Sequence, residues 1–261
     1  MVKAAIVIES LDPNIKYSIE QKVFVIQIIR PEKKNALLPG MYKALAEGLK
    51  IADQNDTVNV ILLRGVDDCF TSGNDVNSFV SSDSNNGERP SVVFMHALLT
   101  TRKPIVAAIS GLAVGIGTTC LFHCDLVYAS EDCFLQLPFT RLGVCPEAGS
   151  SYLLPRQIGY QRAAELLVLG SRFSSKKAQG YGIITEVLPQ DQYLDHALQR
   201  CHELADLPTQ AVQESKHLMK KGLDKVLPGT IEDELAVFSE LLKTPDAQAI
   251  VKAFLERKMA S

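Results

Sequence analysis

The chain has 261 residues, 46% of them hydrophobic and 22% charged, with 27 basic against 30 acidic side chains and a formal net charge of −3. That balance excludes a disordered or low-complexity chain, and without a basic excess no nucleic acid is expected as a partner. No apolar run reaches the roughly 18 to 20 residues that a bilayer span requires, so no membrane span is expected, and the length suits one large domain or one with a small appendage.

In chain order, MVKAAIVIESLDPN carries acidic residues after a short apolar run and reads as a strand, not a signal peptide. The last three residues do not match the peroxisomal tripeptide, so the cytoplasm is the expected location. Lys22 to Arg30, KVFVIQIIR, is a strand ended by Pro31, and PEKKNALL is the loop after it. Pro39 suits the first turn of a helix in which Met41, Leu45, Leu49 and Ala52 form one buried face. Val58 to Arg64, VNVILLR, is a near-continuous apolar strand of the kind covered on both sides, and it feeds CFTSGND.

Residues 81 to 90 are the most polar stretch and are expected to form a mobile surface loop, a candidate lid. SVVFMHALLTTR reads as a helix, Pro104 to Ser110 as a strand, GLAVGIG as a small-residue turn and TTCLFHCD as a helix start. Leu126 to Ala129 and Phe134 to Leu137 are short strands, LGVCPEAGSSY is a loop, YQRAAELLVLG is a helix closed by Gly170, and IITEVLP is a further strand. From about Tyr193 three helical patterns run to the end, broken at Leu207-Pro208 and Pro228-Gly229. The alternation predicts an α/β fold, with a core over 1–192 and a helical segment over 193–261 that packs on the body or on a neighbouring subunit.

Three strand-following loops are rich in small residues: FTSGND, GLAVGIGTT and CPEAGSS. At Ser72-Gly73 and Ile116-Gly117 a ligand can approach the main chain, and two N–H groups converging on one oxygen would stabilise a carbonyl that gains negative charge. Taken singly, such loops are also ordinary glycine turns. Glu147 lies between Pro146 and Ala148-Gly149, where burial would raise its pKa toward that of a general base, although a solvated loop carboxylate reads the same way.

Cys120, His123 and Cys124 share one predicted helix but lack a fourth ligand, and the six cysteines show no disulfide framework, so buried thiols and no metal are expected. The glycine pattern at 115–117 is incomplete as a dinucleotide fingerprint. Lys216, Lys220, Lys221 and Lys225 form either a solvated basic face or a set of phosphate partners.

The order RPEKKNAL, FTSGND, GLAVGIG with a later Cys-Asp, and LPFTRLGVCPEAGSSYLLPR resembles the enoyl-CoA hydratase/isomerase, or crotonase, superfamily over about Phe24 to Leu188. Ser72-Gly73-Asn74-Asp75 and Pro146-Glu147-Ala148 look most like the peroxisomal type of Δ3,Δ2-enoyl-CoA isomerase. The resemblance implies a spiral of strand-strand-helix units with a helical C-terminal trimerisation segment, in homotrimers or dimers of trimers. It implies an acyl-CoA thioester substrate and no cofactor, coenzyme A being part of the substrate. It makes the Ser72 and Ile116 amides an oxyanion hole, Glu147 the proton shuttle, and Asn35, Ala36, Gly73, Asn74, Asp75, Gly117 and Phe139 substrate contacts.

Hydratases of the superfamily carry two glutamates where this chain has Thr119 and Phe139. Hydration needs paired proton-transfer groups, whereas moving a double bond needs one base, so isomerase is favoured over a divergent hydratase or a non-catalytic acyl-CoA-binding module.

Overall fold

A computed structural model describes residues 5–75 and 89–259. The polar stretch expected to form a lid, apart from Arg89 and Pro90, lies outside the described residues. Seven strands form one sheet: β1 (Ile6–Ile8), β2 (Ile15–Glu20), β3 (Val23–Ile28), β4 (Val60–Arg64), β5 (Ile105–Ile109), β7 (Leu126–Ser130) and β10 (Glu186–Leu188), in the order β1-β2-β3-β4-β5-β7-β10. The first three are antiparallel neighbours and the rest are parallel, with Phe24 opposite Ile61, Ile61 opposite Ile105 and Ala107 opposite Val127. β6 (Leu112–Val114), β8 (Phe134–Gln136) and β9 (Phe173–Ser174) form a second, small sheet.

The apolar run of β4 is explained by cover on both faces. Ile61 and Leu63 join the main core, with Met41, Leu45, Leu49 and Ala52 of α1 (Pro39–Gln54) and Phe94 and Leu98 of α2 (Pro90–Thr100). Val60 and Leu62 face the other way, against Ala197, Cys201 and Ala205 of α7 (Tyr193–Asp206). The C-terminal segment therefore begins as a wall of the core.

Between α2 and α7 in the chain come the short α3 (Ile116–Thr119), α4 (Ser150–Ile158), α5 (Tyr160–Leu167) and α6 (Ser175–Gly180). After α7 come α8 (Thr209–Lys220), α9 (Leu223–Leu242) and α10 (Pro245–Met259). The tail is thus four helices and not three, and the expected break at Pro228-Gly229 is absent. Gly222, at φ +96°, ends α8 in the left-handed region, and Pro228 is only the sixth residue of α9, where its missing N–H costs a single intrahelical bond. Ser150 to Tyr152, read as part of a loop, instead begin α4, which holds Pro155 at its sixth position. GLAVGIG, read as a turn, contains β6, which pairs in parallel with β8.

α8 is riveted to the body through Asp125. Lys216 Nζ lies 2.8 Å from Asp125 Oδ2 and donates to the Lys103 carbonyl at 2.7 Å, while Asp125 Oδ2 also accepts the Ile105 amide at 2.8 Å. Lys220 Nζ donates to the His123 carbonyl at 2.8 Å and stands 3.6 Å from Asp125 Oδ1. Two of the four tail lysines that sequence offered to phosphate are therefore bound internally. No described helix is long and apolar enough to cross a membrane.

Candidate active site

Thr71 and Ala113 pair as a parallel bridge, so the chain segments leaving them run side by side and Asn74 and Ile116, each three residues further on, end beside one another. The approach is close enough to demand glycine. A Cβ on Gly73, whose φ is +85°, would stand 2.5 Å from the Val114 carbonyl oxygen, and one on Gly117 would stand 2.6 Å from Thr71 Cγ2.

The expected pairing of the Ser72 and Ile116 amides needs correction. The Ser72 N–H donates to the Lys34 carbonyl at 3.0 Å and is not available to a ligand. Leu37 pairs in parallel with Asn74: its N–H donates to the Gly73 carbonyl and its own carbonyl accepts the Asp75 N–H. The Asn74 N–H consequently faces away from Leu37, because successive amides of an extended chain point in opposite directions. Neither it nor the Ile116 N–H, at the first position of α3, has a partner among the described residues. Asn74 and Ile116 thus each offer an N–H without a partner among the described residues.

Three of the expected substrate contacts, Asn35, Ala36 and Asp75, have internal partners. Asn35 is fully buried at φ +53°, with Oδ1 accepting the Arg30 amide at 2.6 Å and Nδ2 donating to the carbonyls of Cys69 and Phe70 at 2.9 and 3.0 Å. The Ala36 carbonyl accepts Arg30 Nη1 at 2.9 Å, and the same nitrogen bonds Asp75 Oδ2 at 2.8 Å. These residues hold the 28–37 and 69–75 segments against each other. Phe139 is buried in the apolar cluster that also holds Ile116 and Ala148.

Glu147 is 4% exposed. Thr119, from the end of α3, donates its hydroxyl to Glu147 Oε1 at 2.5 Å, while Oε2 is buried without a hydrogen-bond partner among the described residues. Burial raises the carboxyl pKa to about 8; the Thr119 hydroxyl pulls it down and the Glu234 charge pushes it up. A carboxylate with one oxygen oriented and the other free, inside an apolar wall, is equipped to take and return a proton near neutral pH. Because Thr119 favours the charged form, Thr119→Val should move the acidic limb of any Glu147-dependent rate upward by about one pH unit, read from kcat/KM against pH. An unmoved limb would remove Thr119 from the site.

Sequence reasoning missed Tyr42. Its buried hydroxyl donates to Asn74 Oδ1 at 2.5 Å, its ring packs on Phe94, and Glu147 is among the charges that raise its pKa after burial itself. Tyr42 thus ties the Asn74 donor to α1. Tyr42→Phe should lower any rate that depends on the Asn74 amide about 10-fold with little change in thermal midpoint, since losing an oxyanion donor outright costs about 10²–10³ in catalysis. The signal for Tyr42 was its place one residue after Met41, next to the core-facing stripe of α1.

The Cys120 and Cys124 thiols donate to the Gly117 and Cys120 carbonyls, and no group of three His, Cys, Asp or Glu among the described residues could hold a metal ion. His123 Nε2 instead donates to the Ala148 carbonyl at 2.8 Å.

A profile described as enoyl-CoA hydratase/isomerase matches residues 18–261. The chain is 33% identical over 235 residues to enoyl-CoA delta isomerase 2 of Rattus norvegicus, covering 88% of this chain and 60% of that protein. It is 29% identical to 2,3-dehydroadipyl-CoA hydratase of Escherichia coli K12, covering 92% and 94%. Among solved structures, Pseudomonas aeruginosa OdaA superposes with a TM-score of 0.90 at 40% identity, covering 93% of this chain and 99% of that one. The chain spans about 60% of the length of enoyl-CoA delta isomerase 2 from Rattus norvegicus and from Homo sapiens. With a profile match running from β2 to the last residue and a common fold at that TM-score, the chain belongs to the enoyl-CoA hydratase/isomerase family.

Proposed function

We propose that this protein is an acyl-CoA isomerase that converts a 3-enoyl thioester to the conjugated 2-enoyl thioester. The observation that carries the reading is Glu147: buried, oriented through one oxygen by Thr119, and unpartnered at the other. On this reading the ionised carboxylate takes a proton from C2, the resulting enolate oxygen sits against the Asn74 and Ile116 amides, and the protonated Glu147 returns the proton to C4 as the double bond moves. No atom is gained or lost and one base suffices.

Support comes from the positions of the hydratase glutamates. Thr119 there is a hydrogen-bond donor to the base, and Phe139 is apolar wall, so neither offers a second proton-transfer group. The delta isomerase similarity supports the same reaction, while the hydratase similarity at 29% identity makes direct comparison necessary.

The test compares 3-hexenoyl-CoA and 2-hexenoyl-CoA by following the absorbance of the conjugated thioester. Conversion of the first with no hydration of the second is expected. Hydration of 2-hexenoyl-CoA would overturn the reading, and inertness toward both would favour an acyl-CoA-binding module. Because the base must be ionised, kcat/KM should climb with pH through about 8 and level off above it.

A further inference from the structure

The turn that carries Glu147 is held in an improbable shape. Ala148 and Gly149 both adopt left-handed backbone, at φ +58° and +73°, and for a residue with a Cβ that conformation is costly. Something must over-determine it. His123 Nε2 holds the Ala148 carbonyl at 2.8 Å, and the Ser150 hydroxyl donates to the Glu147 carbonyl at 2.7 Å. The strongest grip comes from Glu234 on α9: Oε2 accepts the Gly149 amide at 2.7 Å, and Oε1 accepts the Ser151 amide at 2.9 Å and the Ser151 hydroxyl at 2.5 Å. Glu234 is 7% exposed, and a buried carboxylate with both oxygens bonded to one turn is a strong geometric constraint.

We propose that Glu234, contributed by the C-terminal segment, is a positioning residue for Glu147: it locks the 147–151 turn at the start of α4 and so fixes where the Glu147 carboxyl stands beside Thr119. This rests on the reading of Glu147 as the base. It makes α9 a working part of the site as well as a packing element, since Leu227 also stands 3.0 Å from where a Cβ on Gly149 would lie.

The charge on Glu234 gives a second effect. Among the described residues, the titratable groups facing Glu147 are Tyr42 from α1, Cys120 beyond α3, Cys145 in its own loop and Glu234 from α9. Burial pushes the phenol and both thiols up, so they are neutral near pH 7, and His123 behind the turn is pushed down to about 4 and is neutral too. Glu234 is the remaining acidic neighbour: burial pushes its own carboxyl up while its bonds to Ser151 and Gly149 pull it down, and its charge makes Glu147 hold its proton more tightly.

The experiment sets Glu234→Gln and Glu234→Asp beside wild type. In Glu234→Gln one amide of the turn faces an NH2 group and the charge is gone. We expect kcat to fall roughly 10- to 100-fold, as for a small displacement of a catalytic group, with KM within twofold and the acidic limb moved to lower pH by about one unit. Glu234→Asp keeps the charge and should leave the limb in place. Thr119→Val should move the limb in the opposite direction.

The Glu147 titration is also read without turnover, from carbon-13 NMR of Glu-labelled protein, its signal assigned by loss in Glu147→Gln. A Glu147 signal that titrates alike in wild type and Glu234→Gln, with kcat unchanged, would overturn the inference. So would equal loss in both Glu234 variants accompanied by a rise in KM, which marks a purely structural anchor. Failure of the base assignment itself appears differently, as an active Glu147→Gln enzyme.

Discussion

Glu147→Gln is expected to reduce kcat on 3-hexenoyl-CoA by about 10³-fold or more, within the range for removing a general base, while acyl-CoA binding changes little. Gln keeps the volume and the acceptor for Thr119 but cannot carry the proton. The same substitution should move stability in the opposite direction. The folded pKa of about 8 lies above the ordinary carboxylate value, so between about 4.5 and 8 the native protein binds one more proton at this site than the unfolded chain does. Stability therefore falls as pH rises through that window, by an amount on the order of a few kcal/mol for a fully buried carboxyl. Glu147→Gln should consequently raise the thermal midpoint at pH 8.5 and have little effect at pH 5, measured by scanning calorimetry. A variant that is both inactive and less stable at pH 8.5 would contradict the burial argument.

Asp125→Ala carries the largest expected loss of stability. Lys216 is 7% exposed at its side chain and Asp125 15%, and the carboxylate also accepts the Ile105 amide at the start of β5. Removing it strands a buried ammonium, which typically costs about 3–5 kcal/mol, even though the intact pair need not exceed a hydrophobic replacement in stability. At about 2–4 °C per kcal/mol for a domain of this size, the midpoint should fall by roughly 6 °C or more. Glu240→Gln is the control: its partner Lys243 is 73% exposed and Glu240 78%, so the midpoint should barely move. Equal shifts in the two variants would mean that α8 is not anchored through Asp125.

Much of the fold was legible because its cause is local. The runs KVFVIQIIR, VNVILLR and PIVAAIS are β3, β4 and β5, and the stripe Met41, Leu45, Leu49 and Ala52 is the buried face of α1. The family was legible for a similar reason, since its loop motifs are short and lie in fixed order. Proline was one source of error. Pro228 was read as a helix breaker, but it stands near a helix start, where the penalty is one lost bond and tertiary packing outweighs it.

The candidate site was legible only at its most local features. Glycine at 73 and 117 and a glutamate with apolar neighbours at 147 could be picked out by residue type. Which amides are available could not, because that depends on the Leu37–Asn74 bridge and on the Lys34 carbonyl, which takes the Ser72 N–H. Asn35 was expected to meet the substrate on the family resemblance alone; in the fold its donors and acceptor close on the backbone of Ile28, Arg30 and the 69–70 segment.

By itself the sequence determined most strands of the main sheet, the main amphipathic face, the family and the need for glycine beside a carboxylate, all properties of residue type and short spacing. The tertiary structure alone decided which amides are unpaired, that Thr119 orients Glu147, that Tyr42 holds Asn74, and that Glu234, more than 80 residues along the chain, grips the turn that carries Glu147. A hydrogen bond needs its two atoms within about 3 Å and correctly aimed. That condition is met only after the chain has folded, so no pattern in the residues on either side could have announced it.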